Sequence, residues 1–211
     1  AQHRHQKLLE ESPCPAVGTA LRRRMGEAAV RAAQAAGYYN AGTVEFLLDP
    51  RGRFYFIEMN ARIQVEHPVT EMLTGIDIVR EQIRIAAGEK LRHEQGGIWF
   101  NGHAIECRIL AADGERGFTP SPGIITRWEV PSGPGIRIDT GVTVGSVVST
   151  HYDPMIAKVI CWDQNRASCI ERMRATLRGM HVEGVRTTIP YHLQLLGNAY
   201  FRRGDATTQF I

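Results

Sequence analysis

A strict alternation of polar and apolar residues between Glu58 and Glu66 constrains the fold of this chain more than any other feature. The polar positions are Glu58, Asn60, Arg62, Gln64 and Glu66, with Met59, Ala61, Ile63 and Val65 between them. Successive side chains of an extended chain point to opposite faces. We therefore predict a strand with one apolar face and one face that carries two carboxylates, two amides and a guanidinium.

Two interpretations of that polar face remain open on the pattern alone. A strand with one solvated face is common in antiparallel sheets. Against this, Phe54 and Phe56 share the parity of the polar positions, so the face is expected to begin buried. The mixture of carboxylate, amide and guanidinium groups is also more typical of a functional site than of a solvated face.

A turn signal, Asp49-Pro50-Arg51-Gly52, separates two β-rich segments and predicts a hairpin. A loop of those four residues would place Leu48 opposite Arg53 and Glu45 opposite Phe56. Glu45 would then share a face with Glu58, as a diagonal neighbour about 7–8 Å away. A loop longer or shorter by one residue would move Glu45 to the other face.

Glu45, Glu58 and Asn60 would form a set of oxygen ligands if this register holds. Two carboxylates and an amide oxygen suit Mg²⁺ or Mn²⁺ shared with phosphate oxygens. Two buried carboxylates without a partner would repel each other. A bound metal would remove that repulsion.

The remaining chain predicts an α+β protein, because strands follow helices without a regular alternation of the two. Helices are expected over residues 19–37, 77–87, 165–178 and 190–202, and later strands over 102–110, 123–130, 135–140 and 155–162. Thr19 and Asp77 are candidate N-caps, and Gly37 and Gly88 are candidate C-terminal glycines. A composition change at a Gly-rich segment predicts a domain boundary near residue 96.

Composition excludes several classes of function. The formal net charge is +3, with 22 arginines and three lysines and no basic run longer than three residues, so we expect no nucleic-acid partner. The four cysteines form no C-x-x-C pair, which favours free thiols in a reducing, cytoplasmic compartment. No apolar stretch approaches the roughly 20 residues that span a bilayer, so we expect no membrane association. The chain opens without Met, which we interpret as a piece of a longer protein.

Residues 58–72, Glu-Met-Asn-Ala-Arg-Ile-Gln-Val-Glu-His-Pro-Val-Thr-Glu-Met, closely resemble the signature of biotin carboxylases, which belong to the ATP-grasp superfamily. The usual residue at position 61 is Thr, and Ala61 is expected to point away from the site. The resemblance extends over the chain through segments 4–7, 42–46, 102–108, 120–123, 135–139 and 152–158. It implies the C-terminal part of an ATP-grasp domain over residues 1–96 and the biotin carboxylase C-terminal domain, mainly β with helices, over 97–211.

The resemblance implies that ATP and bicarbonate form carboxyphosphate, which carboxylates biotin on a carrier protein. Glu45, Glu58 and Asn60 would hold Mg²⁺ or Mn²⁺, and Gln2, His5 and Leu47 would join Glu45 and Glu58 at the nucleotide. Lys7, Arg62, Gln64 and the Val65 backbone would bind bicarbonate. Glu66 would be the catalytic base, and Arg137 would stabilise the biotin anion.

The chemistry of these side chains suits the implied roles. Bicarbonate is planar and anionic, which matches the fork of Arg62. Glu66 lies four positions further on the same predicted face, where it can meet the proton of that anion. A base of this kind works best near neutral pH with a raised pKa. Arg137 stays charged at any working pH, as an anionic biotin requires.

By resemblance, this chain lacks an N-terminal domain and the glycine-rich lid over the ATP phosphates, so we expect it to be inactive alone. The longer protein would be a bacterial homodimer that works with a biotin carboxyl carrier and carboxyltransferase subunits, on acetyl-CoA or another acceptor. One alternative is a different ATP-grasp ligase, such as a carbamoyl phosphate or purine-pathway enzyme, although residues 62–67 and Arg137 argue against it. A second alternative is a non-catalytic module for subunit contacts and carrier docking.

Overall fold

The structure is a computed structural model that describes residues 1–3 and 6–211. The chain divides into two compact units. Unit 1 combines Ala1–Ser12 with Asn101–Ile211, and unit 2 is Pro13–Phe100. The domain boundary predicted near residue 96 concerns the domains of the implied family and stays a prediction. In the described part of the chain, no helix has both the length and the apolar character needed to cross a membrane.

Helices and strands follow the mixed order that the sequence predicts. In the described residues the strands are β1 Gln2–His3, β2 Gln6–Lys7, β3 Leu9–Ser12, β4 Thr43–Leu48, β5 Phe54–Asn60, β6 His103–Leu110, β7 Ala112–Asp113, β8 Thr119–Pro120, β9 Gly123–Ile124, β10 Arg127–Glu129, β11 Ile136–Thr140, β12 Val147–Val148, β13 Met155–Asp163 and β14 His181–Glu183. The helices are α1 Thr19–Ala35, α2 His67–Thr74, α3 Ile78–Ala86, α4 Arg166–Arg178, α5 Ile189–Gly197 and α6 Ala199–Arg203.

The core of unit 1 is an antiparallel sheet with the strand order β11-β13-β6-β3. Cys107 on β6 lies opposite Val159 on β13 and Leu9 on β3, and all three are buried. Helix α4 packs against β6 and β13 and contributes Met173 and Leu177 to the same core cluster. Each fully buried aliphatic side chain of this kind contributes about 1.5–3 kcal/mol.

The opposite face of that sheet carries charges, because side chains alternate along each strand. Asp139 on β11 lies opposite Lys158 on β13, which lies opposite Arg108 on β6. Arg108 forms an ion pair with Glu10, and both side chains are about nine-tenths buried. A buried charge is costly unless it is paired, so these partners hold the face together.

The hairpin of unit 2 has a longer loop than the turn signal predicts. Leu48 pairs with Phe54, so residues 49–53 form a five-residue loop and the predicted pairing of Leu48 with Arg53 is wrong. The Asp49 carboxylate accepts hydrogen bonds from the backbone N–H groups of Arg51 (2.9 Å) and Arg53 (2.8 Å). The Asp49 N–H also donates to Arg53 O at 2.9 Å, so Asp49 closes the loop through both its side chain and its backbone.

A β-bulge between Glu45 and Phe46 then shifts the register by one further residue. Phe46 pairs with Phe56, whereas Glu45 pairs with Glu58, so Ile57 is the extra residue. The loop and the bulge each add one residue, and the two shifts together return Glu45 to the face that it is predicted to share with Glu58. Glu45 therefore lies directly opposite Glu58 and is not the diagonal neighbour that the four-residue loop predicts.

Two helix termini test the capping predictions. The N-cap of α1 is Gly18, without a side-chain hydrogen bond, so the prediction that Thr19 caps this helix is wrong. The N-cap of α3 is Asp77, whose carboxylate accepts from the Arg80 N–H at 2.8 Å, as predicted. Gly37 adopts the predicted left-handed conformation, with φ of 61°, and Gly88 after α3 adopts it too, with φ of 88°.

Three elements differ from the predicted ones. Helix α2 has no counterpart among the predicted helices; it follows the polar run directly and ends at Gly75, with φ of 70°. The helix expected over 190–202 is two helices, because the extended backbone of Asn198 ends α5 and its side chain caps α6. The strand expected over 123–130 is interrupted, since Ile125 donates to Ser146 O and Thr126 donates to Glu183 O.

Candidate functional site

The predicted polar strand ends at Asn60, and the polar residues beyond it turn back toward the strand. Residues 61–66 form bends and turns, and Glu66 is the N-cap of α2, with φ −80° and ψ 5°. The prediction of an extended chain through Glu66 is therefore wrong. The expectation that this face begins buried is also wrong at Phe56, which is 57% exposed.

Hydrogen bonds nevertheless join the predicted residues into an acidic cluster, defined here as Glu45, Glu58, Asn60 and Gln64. Asn60 Nδ2 donates to Glu45 Oε1 at 3.3 Å and to Glu58 Oε1 at 3.0 Å. Gln64 Nε2 donates to the same Glu45 oxygen at 3.0 Å. The amide donors lie between the carboxylates and reduce their mutual repulsion.

Gln64 is the buried member of the acidic cluster and is 9% exposed. Its Oε1 atom is buried and accepts no hydrogen bond in the described part of the chain. An unsatisfied buried acceptor is costly, which indicates that a ligand or a water molecule donates a hydrogen bond to Gln64 Oε1. The amide therefore suits a residue that orients a bound group.

Arg62 projects from the turn beside the acidic cluster. Its Nη2 donates to Asn60 Oδ1 at 3.3 Å and its Nη1 donates to Ile63 O at 3.2 Å. The side chain is exposed, and these two weak contacts occupy only part of its donor fork. The arrangement fits the predicted recognition of a small planar anion.

His67 and Glu71 support the turn, although neither is among the predicted site residues. The ring of His67 contacts Gln64 O through Nδ1 at 2.7 Å, and its Nε2 lies 3.7 Å from Glu71 Oε2. Glu71 Oε1 accepts from the Ile78 N–H at 2.7 Å, at the start of α3. Their position inside the 58–72 motif was the signal that could have identified them.

The residues predicted at the nucleotide are spread over both units. Leu47 lies on β4 in unit 2 and is 52% exposed. Gln2 lies in unit 1, on β1, and its Nε2 reaches Thr208 O at 3.5 Å. His5 lies outside the described residues.

Lys7 is half-buried on β2 of unit 1, where it pairs with Gln2. Val65 and Glu66 are half-buried in unit 2, between the acidic cluster and α2. Each of these three residues has an interaction within the structure. Their predicted roles toward bicarbonate stay predictions.

Arg137 pairs with a carboxylate on its own strand, Asp139. Its Nε and Nη2 donate to the two oxygens of Asp139 at 2.8 and 2.9 Å, and Lys158 Nζ lies 3.5 Å from the same carboxylate. Burial raises the pKa of Asp139, but the hydrogen bond from Arg137 and the two positive charges outweigh burial and hold that pKa below its usual value. Asp139 thus orients the guanidinium, which stays charged, and Lys158 adds a second positive charge to the group. The predicted role of Arg137 toward biotin stays a prediction.

Arg108 is a buried arginine of unit 1 that is not among the predicted site residues. It is 8% exposed, and its backbone carbonyl accepts from His192 Nε2 at 2.8 Å and Thr188 Oγ1 at 3.2 Å. Both donors belong to the N-terminal part of α5. Arg108 lies within segment 102–108, which resembles biotin carboxylases, and this position was the signal that could have singled it out.

The acidic cluster has the donor set of a divalent cation that is shared with a substrate. No group of three or more His, Cys, Asp or Glu residues capable of holding a metal occurs in residues 1–3 and 6–211. Two carboxylates and an amide oxygen nevertheless fit Mg²⁺, which keeps several waters and binds substrate phosphates. For Asn60 to ligate the ion, its amide would have to turn its oxygen toward the carboxylates.

Two family models match the chain. The model described as "Biotin carboxylase C-terminal domain" matches residues 106–211. The model described as "Carbamoyl-phosphate synthase L chain, ATP binding domain" matches residues 1–94. Together they cover nearly the whole chain.

Curated relatives match over the full length of the chain. A biotin carboxylase of Nostoc sp. is 51% identical over 210 residues, which are 100% of this chain and 47% of that protein. A pyruvate carboxylase subunit from Methanothermobacter thermautotrophicus is 52% identical over 210 residues, which are 100% of this chain and 43% of that protein. The chain thus spans about half the length of the curated relatives it matches.

Solved structures show the same fold. The biotin carboxylase domain dimer of 2-oxoglutarate carboxylase from Hydrogenobacter thermophilus, in complex with MgADP, ADP and bicarbonate, superimposes with a TM-score of 0.97 at 49% identity. The match covers 99% of this chain and 46% of that chain. The predicted α+β fold and the predicted family are confirmed, and this chain belongs to the biotin carboxylase family.

Proposed function

We propose that this chain is the part of a biotin carboxylase that carries the metal and bicarbonate residues together with the C-terminal domain. The reaction is the ATP- and bicarbonate-dependent carboxylation of biotin on a carrier, through carboxyphosphate. The acidic cluster carries the proposal, because two amide side chains gather Glu45 and Glu58 beside the exposed fork of Arg62. The Hydrogenobacter domain, whose complex holds MgADP and bicarbonate, supports the same conclusion.

Glu45, Glu58 and Asn60 are the proposed ligands of Mg²⁺ or Mn²⁺, which neutralises phosphate charge when it is bound. Gln2, His5 and Leu47 are the proposed contacts of the nucleotide. Arg62, Gln64, the Val65 backbone and Lys7 are proposed to bind and orient bicarbonate.

Glu66 accepts the bicarbonate proton in this proposal. The carboxylate takes the proton from the O–H group, and the resulting anion becomes a stronger nucleophile toward the terminal phosphate of ATP. The exposed guanidinium of Arg62 holds the anion during this step. Arg137 is proposed to stabilise the biotin anion, with Asp139 holding its guanidinium in place through two hydrogen bonds.

Partners and location follow from the proposed reaction. We propose a biotin carboxyl carrier, carboxyltransferase subunits and a second copy of the chain as partners, in the cytoplasm of a bacterium. The dimer in the Hydrogenobacter structure supports the second copy. Relatives named for pyruvate, methylcrotonoyl-CoA and 2-oxoglutarate carboxylation support a variable acceptor, of which acetyl-CoA is one.

Metal binding to the 211-residue chain tests the proposal directly. We expect Mn²⁺ to bind with a paramagnetic resonance signature that changes when ADP is added. Glu45→Gln and Glu58→Gln should each weaken Mn²⁺ binding at least about tenfold, since each removes a charged ligand. Glu27→Gln is the matched control, because Glu27 is an exposed carboxylate on α1.

Three outcomes of this experiment count against the proposal in different ways. Equal Mn²⁺ affinity in the wild-type chain and in both cluster variants would exclude the acidic cluster as the metal site. If the chain binds neither Mn²⁺ nor ADP, the result would instead support a non-catalytic module. Binding of MnADP without any effect of bicarbonate would favour another ATP-grasp ligase.

Catalysis by the chain alone is a separate test. The chain spans about half the length of its relatives, so we expect no bicarbonate-dependent ATP hydrolysis above background with free biotin. Clear turnover would contradict the expectation that the chain is inactive alone, while leaving the site assignment intact.

A further inference from the structure

Unit 2 contains a pocket of about 370 Å³ that is separate from the acidic cluster. It lies where residues 91–100 run beside α2 and α3. Its apolar lining comes from Ile76, Ile78, Ile85, Leu91, Ile98 and Phe100. No member of the acidic cluster lines it, and its volume falls in the range of small-molecule sites, about 300–1,000 Å³.

Glu81 contributes a carboxylate to this pocket, and one of its two oxygens has no hydrogen-bond partner in the described residues. The residue is 7% exposed, and its Oε1 atom is 2.6 Å from Arg84 Nη1 and 4.0 Å from His93 Nε2. Its Oε2 atom is buried and accepts no hydrogen bond in the part of the chain that the structure describes. A buried carboxylate oxygen left in this state costs free energy unless a donor reaches it.

The charge of the lining favours a cation. Among the residues that the structure places around this pocket, Glu81 is the only carboxylate and none is a lysine or an arginine. Arg84, which pairs with the other oxygen of Glu81, is not part of the lining. An ammonium group would therefore find a buried acceptor in Glu81 Oε2, whereas an anionic group would find no lysine or arginine in the lining, only the His93 ring and uncharged polar side chains.

We propose that this pocket is a binding site for a small molecule that joins an apolar body to a single ammonium group. The ammonium group donates to Glu81 Oε2, after a small adjustment of the side chain that opens this oxygen to the pocket. The apolar body packs among the isoleucine side chains. This site is independent of the proposed carboxylase function, since it shares no residue with it.

A ligand series on the wild-type chain tests the proposal without any mutation. The probes are n-hexylammonium, hexan-1-ol and hexanoate, which share the hydrocarbon and differ in charge. Isoleucine methyl resonances report the position of each probe. We expect saturable binding of n-hexylammonium, with shifts confined to the methyl groups of Ile76, Ile78, Ile85 and Ile98, and at least about tenfold weaker binding of the other two probes.

Equal binding of hexan-1-ol would overturn the role of the carboxylate. Shifts at isoleucines outside this pocket, or the absence of saturable binding, would overturn the site itself.

A matched pair of variants isolates the contribution of Glu81. Glu81→Gln should weaken n-hexylammonium binding at least about tenfold and leave hexan-1-ol binding unchanged. Glu89→Gln should change neither, because Glu89 is an exposed carboxylate shortly after α3 that does not line the pocket. Wild-type affinity in Glu81→Gln would overturn the proposal, and if that variant fails to fold, the ligand series decides alone.

Discussion

At the scale of single residues, amide side chains reduce the repulsion between Glu45 and Glu58, an effect that the sequence predicts for a bound metal. Asn60 donates to both Glu45 and Glu58, and Gln64 donates to Glu45. The acidic cluster is therefore stable as a hydrogen-bonded unit before any cation arrives. A cation that binds there must replace these donors, so the amides and the metal compete for the same oxygens.

Replacing Asn60 by Asp tests this competition. Asn60→Asp removes the bridging donor and adds a third carboxylate, so the chain without metal should lose about 1 kcal/mol of unfolding free energy. Mg²⁺ should then stabilise the variant more than it stabilises the wild-type chain. Thermal unfolding with and without Mg²⁺ measures both effects, and Asn101→Asp, at an exposed position, is the control. Identical unfolding of Asn60→Asp and the wild-type chain would contradict the bridging role.

His192 makes stability depend on pH at a single buried residue. Burial lowers the pKa of His192 to about 4 and outweighs the hydrogen bond from Nε2 to Arg108 O, which raises that pKa. Its buried Nδ1 has no partner in the described residues. The unfolded chain binds this proton near pH 6.5. The contribution of His192 is therefore fully present above about pH 6.5 and is lost as the pH falls toward 4.

Urea unfolding between pH 7 and pH 4 checks this dependence. The wild-type chain should lose about 3 kcal/mol more than His192→Gln over that interval. His151→Gln, which changes an exposed histidine, should follow the wild-type chain. Parallel pH profiles for His192→Gln and the wild-type chain would show that His192 is not the responsible group.

At the scale of elements, helix ends and strand registers were predictable to different degrees. Asp77 was predicted to cap α3 and does so, because an Asx cap needs only the three residues that follow it. Thr19 was predicted to cap α1, but the cap lies one residue earlier, at Gly18. The β4–β5 register depends on a loop and a bulge, which no local pattern marks.

The two predicted caps, Asp77 and Thr19, form a matched test. Asp77→Ala should cost about 1 kcal/mol of unfolding free energy, because it removes the acceptor of the Arg80 N–H. Thr19→Ala should stay within about 0.5 kcal/mol of the wild-type chain, because Thr19 is exposed and does not cap α1. Chemical denaturation of both variants measures the difference. A larger cost for Thr19→Ala than for Asp77→Ala would contradict the assigned caps.

At the scale of the whole molecule, the four cysteines are free thiols that differ in accessibility. Cys14 is exposed, whereas Cys107, Cys161 and Cys169 are buried in the core of unit 1. Burial raises the pKa of Cys161 to about 11 and that of Cys169 to about 12. Burial likewise raises the pKa of Cys107. Thiolates react and thiols do not, so the buried three should be inert in the folded chain.

A thiol-specific chromogenic reagent counts the reactive cysteines. We expect one fast-reacting thiol in the native chain and four after denaturation. Cys14→Ser should abolish the fast phase without changing thermal stability by more than about 0.5 kcal/mol. A fast phase that persists in this variant would mean that the core of unit 1 opens readily.

The sequence by itself determined the family, the α+β class and the identity of the residues in the acidic cluster. These conclusions depend on residue types and on a long motif, both of which are local. Only the tertiary structure decided that β5 ends at Asn60, that Glu45 lies directly opposite Glu58, and that Gln64 turns back to join them. Periodicity predicts side-chain direction only while the backbone stays regular, and the hairpin loop, the bulge and the turn interrupt it. The pairing of Arg108 with Glu10 and the bonding of His192 to Arg108 join residues far apart in the chain, so no local pattern could reveal them.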